Sequence, residues 1–177
     1  MELQLRYMVS NVFIFDIDGC IMPNVFSLKE KTSVYALSLL SLYPEFIEFY
    51  KQCCPKSLAV YFLTGRKQAE HGQITEEQLK PLRSHEEYTI IYYPEGKSHS
   101  PDEYFQWKAD SIKAIIDQWD SGTVRFNVYD DLENLFPVLN RKFSSKLKNF
   151  HIQLIQNRAD WIKEVKEVKF QVGSLFA

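Results

Sequence analysis

The chain has 177 residues, which suits one domain with a single core and leaves little room for a second. Hydrophobic residues make up 45% and charged residues 25%, the balance of a globular rather than a disordered protein. A formal net charge of −2 argues against a strongly basic nucleic-acid-binding surface, although a net charge averages over faces and leaves room for a local basic patch.

No apolar stretch approaches the roughly 20 residues that a membrane span needs. Residues 1–10 carry Glu2 and Arg6 and run straight into a strand, so they do not read as a signal peptide. Cys20, Cys53 and Cys54 are an odd count with no C-x-x-C pair, which indicates neither a disulfide framework nor a zinc site. A reducing, cytoplasmic setting is expected.

The first element is a strand at 11–16 (NVFIFD), an apolar run of the kind buried on both faces of a parallel sheet, with a turn at Gly19. A stretch of helical length follows at 33–53. It is rich in Leu, Tyr and Phe and reads either as a core-packing helix or as a dimer face. Next come a strand at 59–63 (AVYFL), a helix at 67–82 and a strand at 89–93 (TIIYY). A polar loop, PEGKSHSPD, leads into a helix at 101–119. There Phe105, Ala109, Ile112, Ile115 and Ile116 recur at spacings of three and four, as one helix face requires. A strand at 124–129 (VRFNVY), a helix at 132–146, a strand at 150–155 (FHIQLI) and a helix at 159–168 complete the order, and the residues beyond read as a strand or a tail.

Strands alternating with helices predict a three-layer α/β/α fold with a doubly wound, mostly parallel sheet over residues 1–177. Such sheets bind ligands beyond the carboxyl ends of their strands, so the polar residues there are the ones to weigh. After the first strand come Asp16 and Asp18, two carboxylates leaving a strand end in the same direction beside Gly19. Close like charges call for a cation or a shared proton, and oxygen-only ligands suit Mg²⁺; taken alone, the motif also reads as a plain turn. After the second strand, Thr64, Gly65 and Arg66 offer a hydroxyl and free N–H groups near a helix start, either a phosphate site or an ordinary N-cap. Asp130 and Asp131 follow the fourth strand, either as metal ligands opposite Asp16 or as a cap favoured by the helix dipole. Lys108 on the preceding helix can bring positive charge to the site, with Lys113 as its competitor.

The order of these stretches, strand-Asp-x-Asp-Gly, strand-Thr-Gly-Arg, helix lysine, strand-Asp-Asp, resembles the haloacid dehalogenase-like (HAD) superfamily of phosphatases. The segments FIFDIDGC, FLTGR and VYDDLEN carry the resemblance, which runs from about Val12 to Asn134. It implies that Asp16 is the nucleophile forming an aspartyl-phosphate and that Asp18 is the general acid, then base. It further implies that the main-chain carbonyl of Asp18 joins Asp16, Asp130 and Asp131 around Mg²⁺, with Asp131 the direct ligand and Asp130 in support. Thr64, Gly65, Arg66 and Lys108 would receive the phosphate. An acid at position 18 is expected of phosphatases and phosphotransferases, whereas members that cleave carbon–halogen bonds lack it. Cys20 stands where the family more usually has threonine or valine and is read as a small buried side chain.

In the family, cap insertions govern substrate choice. Here 48 positions separate Asp16 from Thr64 and 44 separate Thr64 from Lys108, too few for a full α/β cap domain. An open cleft suits phosphates on large molecules, and the layout looks somewhat like the polynucleotide phosphatase and RNA-repair-associated branch. The implied substrate is a nucleotide or a nucleic-acid terminal phosphate. Tyr92, Tyr93, Tyr104, Phe105 and Trp107 are either base-stacking or core residues, and Arg66, Lys67, Arg83 and Lys97 either a basic rim or solvated charge. Alternatives are a small-metabolite phosphatase or phosphotransferase, or a non-catalytic binding module. Loss of Asp16 or Asp18 would mark the module, and both are present.

Overall fold

A computed structural model describes residues 10–24, 33–98, 100–119, 122–143 and 150–174. Five strands form one wholly parallel sheet: β1 (Ser10–Phe15), β2 (Ala59–Thr64), β3 (Thr89–Tyr92), β4 (Val124–Asp130) and β5 (Phe150–Leu154), in the order β3-β2-β1-β4-β5. The chain moves outward from β1 through β2 to β3, then returns to the other side of β1 for β4. The switch point therefore falls between β1 and β4, where open α/β sheets leave a crevice.

Side chains of β1 alternate between two cores, as the period of a strand requires. Val12 and Ile14 join the core formed with α4 (Pro101–Ile116) and α5 (Leu135–Phe143). Phe13 and Phe15 face the opposite core, which takes in α2 (Pro44–Cys53) and α6 (Asp160–Ser174). Phe15 is the hub of an aromatic cluster, its ring centroid 5.1 Å from Phe46, 5.4 Å from Tyr129, 5.5 Å from Phe62 and 5.8 Å from Trp161. Full burial of such rings stabilises by about 1.5–3 kcal/mol each. Trp161 also donates its indole N–H to the carbonyl of Cys20, 2.9 Å away, and so ties α6 to the turn after Asp18.

Three expectations need correction. The single helix at 33–53 is two: α1 (Val34–Ser38) and α2, which opens with Pro44. A proline cannot donate in a helix interior and pushes the preceding residue out of the helical region, and Tyr43 is extended at φ −60° and ψ 130°. The helix at 67–82 is α3 (Gln68–Leu79) followed by a tighter 3₁₀ turn, Lys80–Ser84, at Pro81. From Val168 to Ser174, the last described residue, the chain is neither strand nor tail but the continuation of α6. The end of the helix expected at 132–146 falls outside the described residues, of which α5 takes Leu135–Phe143.

Candidate active site

The carboxyl ends of β1 and β4 bring three acids together. Asp16 follows β1, and its backbone N–H donates to the carbonyl of Tyr129 at 2.9 Å, which locks it beside the end of β4. Asp130 closes β4 and Asp131 follows it. One oxygen from each of Asp16, Asp130 and Asp131 lies within 4.8 Å of the others. Gly19 makes room for them. It has φ +81°, a left-handed conformation that glycine adopts without penalty, and a Cβ there would overlap the Asp131 carboxylate.

Lys108 supplies the opposing charge. It is fully buried on α4, and its Nζ lies 2.7 Å from Asp16 Oδ1 and 2.5 Å from Asp130 Oδ2. The other oxygen of Asp130 accepts the Leu132 N–H at 2.9 Å, so this carboxylate is engaged at both ends. Lys113 is half exposed and pairs with Asp117 one turn along α4.

Burial raises the pKa of Asp16 well above the carboxylate range, and Asp130 and Asp131 add to it against the opposing pull of Lys108. Burial pushes Asp131 up to about 6, with Asp130 as the next cause. For Lys108 burial acts to lower the pKa, but Asp130 and Asp16 outweigh it and hold the ammonium firmly protonated. Three clustered carboxylates against one ammonium leave an excess of negative charge. An oxygen-only donor set with that charge fits a hard divalent cation such as Mg²⁺. Asp16 and Asp131 face the cavity and, with Asp130 behind them, are the side chains that would hold it.

Asp18 stands apart from this group. Its two oxygens accept from Arg66, Oδ2 from Nε at 3.0 Å and Oδ1 from Nη2 at 2.7 Å. The side chain expected to act as general acid is thus held by a guanidinium fork, a geometry suited to bidentate pairing. Arg66, expected at the phosphate, is almost wholly buried and spends its donors within the protein. Thr64 is buried at the end of β2, and its hydroxyl oxygen accepts the Arg66 backbone N–H at 3.1 Å. Gly65 lies under Tyr104, whose hydroxyl would be 2.8 Å from a Cβ at that position.

Asp18, Gly65, Arg66 and Tyr104, though not the buried Thr64, border a cavity of about 550 Å³, within the range of small-ligand pockets. Asp16, Asp18 and Asp131 form its acidic floor; Tyr104, Phe105 and Pro101 from α4 form an apolar wall. Lys67, which caps the start of α3, and Glu70 and His71 on that helix line the remaining side. Of the five aromatic residues flagged for stacking, Tyr104 and Phe105 reach the cavity. Tyr93 is buried against Trp107, ring centroids 4.9 Å apart, and Tyr92 directs its hydroxyl to the Gly72 carbonyl. Of the four cations, Arg66 and Lys67 line the cavity and Arg83 pairs with Glu76 and Glu87. Sequence reasoning passed over His71, Thr75 and Gln78. Their spacing of four and three places them on one face of α3, and polar residues on a helix face turned inward are the signal that marks them.

No family model matches the chain, and no curated protein matches it. Solved structures do. The HAD domain of effector protein Lem4 from Legionella pneumophila is 15% identical with a TM-score of 0.58, covering 95% of this chain and 98% of that one. An inactive mutant of the same domain is 14% identical with a TM-score of 0.59, covering 95% and 97%. A chain of the Pnkp1/Rnl/Hen1 RNA repair complex is 16% identical with a TM-score of 0.56. That match covers 88% of this chain and 47% of the other, so this chain spans about half its length. The fold is that of HAD domains, an α/β Rossmann-like fold.

Proposed function

We propose that the chain is a Mg²⁺-dependent phosphomonoester hydrolase in which Asp16 attacks phosphorus and carries the phosphoryl group as an aspartyl-phosphate. The observation that carries this reading is Lys108, buried between Asp16 and Asp130 at the switch point of the sheet, with Asp131 beside them. When bound, Mg²⁺ supplies positive charge where an anionic nucleophile must meet an anionic phosphate.

The chain's own groups do the rest. Lys108 holds the Asp16 carboxylate in one orientation and offsets its charge. A bond forms from Asp16 to phosphorus as the bond to the leaving oxygen breaks, and Asp18 protonates that oxygen. Asp18 then takes a proton from the water that attacks the aspartyl-phosphate, which releases inorganic phosphate and restores Asp16. To act in this way one oxygen of the Asp18 carboxyl turns to the cavity that both it and Asp16 border, while the other stays with the Arg66 guanidinium that orients it. Thr64 and Gly65, at the end of β2, are the candidate partners of the phosphoryl oxygens.

The leaving group in this reading is a nucleotide or a phosphorylated nucleic-acid end. Two observations support it: the aromatic wall of Tyr104 and Phe105 beside the acids, and the fold shared with a component of an RNA repair complex. Phosphate release from 4-nitrophenyl phosphate with Mg²⁺, lost in Asp16→Asn, is the first test. Equal activity in that variant would overturn the nucleophile. A panel of 3′- and 5′-phosphorylated oligonucleotides, free nucleotides and alkyl phosphates then tests the substrate. Turnover of alkyl phosphates alone would overturn the nucleotide reading.

A further inference from the structure

Arg66 has five guanidinium N–H groups, and each finds an acceptor. Nε and Nη2 donate to the two oxygens of Asp18, and Nη2 also to the sulfur of Met22 at 3.3 Å. Nη1 donates to Thr75 Oγ1 at 3.1 Å and to Gln78 Oε1 at 2.6 Å. The plane of the guanidinium, and with it the fork that holds Asp18, is therefore fixed from behind by α3.

Gln78 is itself held from the far side. Its Nε2 donates to the carbonyls of Leu37 at 2.7 Å and Leu40 at 3.0 Å, at the C-terminal end of α1, where helix carbonyls lack partners within the helix. The amide has one workable orientation. The guanidinium offers only donors, so Oε1 must face it, and the two carbonyls offer only acceptors, so Nε2 must face them. A side chain with an acceptor and two donors at its tip suits this position. Leu37, at the other end of the chain of contacts, also lines the cavity.

We propose that Gln78 is a positioning residue for Asp18: through Arg66 it sets where the proton donor is held, and through the end of α1 it couples that setting to the wall of the cavity. The proposal rests on the reading of Asp18 as the general acid. Without the Gln78 oxygen one buried N–H of Arg66 loses its acceptor, and the guanidinium turns to recover a partner. The Asp18 carboxyl follows. Displacing a catalytic group by a fraction of an ångström lowers the rate of the step it serves and spares steps that do not need it.

The test compares wild type, Gln78→Met and Thr75→Val on two substrates, 4-nitrophenyl phosphate and glycerol 2-phosphate. Methionine keeps the length and helix preference of glutamine but not its hydrogen bonds, and valine nearly matches threonine in shape. The nitrophenolate leaves without a proton, whereas the alkoxide of glycerol needs one. The ratio kcat/KM covers binding through the breaking of the bond to the leaving group. Gln78→Met is expected to lose about tenfold or more on glycerol 2-phosphate and to stay within about threefold on the nitrophenyl ester, a fraction of what general acid catalysis contributes. Thr75→Val moves the same way by less, and Asp18→Asn by more. A loss equal on both substrates, or no loss, overturns the proposal. Failure of wild type on both substrates overturns the phosphatase reading instead. As a measurement independent of turnover, the Arg66 Nη protons are expected as separate NMR signals in wild type and as merged, fast-rotating ones in Gln78→Met. Unchanged signals overturn the clamp.

Discussion

Gly19 lies so close to Asp131 that a methyl group on its Cα would overlap the carboxylate oxygen Oδ2. The two residues are far apart in the chain, and their contact joins the turn after β1 to the end of β4. The turn is closed by hydrogen bonds of its own, Gly19 N–H to the Met22 carbonyl at 3.0 Å and Ile21 N–H to the Ile17 carbonyl at 3.1 Å, so it has little freedom to retreat. Gly19→Ala is therefore expected to displace Asp131. It adds left-handed strain of about 1–2 kcal/mol. Calorimetric titration with Mg²⁺ checks the first effect, with affinity falling about tenfold for the 1.4 kcal/mol that such a displacement represents. Urea denaturation checks the second.

Lys108 separates two buried carboxylates, so its removal leaves like charges facing one another with no cation between them. Lys108→Met is expected to destabilise the metal-free protein by about 3–5 kcal/mol, the range for breaking a buried pair. Lys113→Met, at the exposed pair with Asp117, is expected to change stability by less than about 0.5 kcal/mol. Chemical denaturation of both variants makes the comparison.

The raised pKa of Asp131, about 6 against an unperturbed carboxyl near 3.8, fixes the sign of a pH dependence. Between those values the folded metal-free protein binds a proton that the unfolded chain does not. The stability from this group is complete below the lower value and is lost as pH rises through about 6. Thermal melts in EDTA should show Asp131→Asn gaining more over wild type at pH 7.5 than at pH 5. Mg²⁺ acts oppositely because it needs the carboxylate: its stabilisation of wild type should be larger at pH 7.5 than at pH 5.

Phe105 belongs to the apolar wall beside the acids. If the leaving group carries a base, Phe105→Ser should raise KM for a nucleoside monophosphate about tenfold, a typical loss for one stacking contact. KM for glycerol 2-phosphate should be unchanged. Steady-state kinetics on the two substrates decides the matter, and equal changes would remove the aromatic wall from substrate recognition.

The acids at the strand ends were legible because strand periodicity and parallel topology together say where a residue after β1 or β4 must go. Lys108 was legible only as one of two candidates beside Lys113, although their places on α4 differ. It precedes Ile112 and Ile115 by four and seven residues and so lies within the apolar stripe, which Lys113 does not. The break at Pro44 was present in the sequence as well; the run of Leu, Tyr and Phe masked it because both fragments bury the same kind of residue. The fate of Arg66 was not legible. Its position after β2 is local information. The fork to Asp18 depends on a partner 48 positions away and on Thr75 and Gln78 presented by the next helix. A charged side chain at a strand end serves a ligand or a neighbouring acid equally well, and tertiary packing decides between them.

The indole of Trp161 grips the carbonyl of Cys20 across nearly the whole length of the chain. During synthesis the Asp16–Asp18 turn leaves the ribosome well before Trp161, since the ring bonds Cys20 from 141 positions further along and comes with the last described helix. Asp16 and its turn are made before the ring that braces them. A growing chain that has already paired β1 with β2 and β4 still lacks the indole bond behind that turn, so the aromatic core beneath it is completed by the docking of α6 rather than by closure of the sheet.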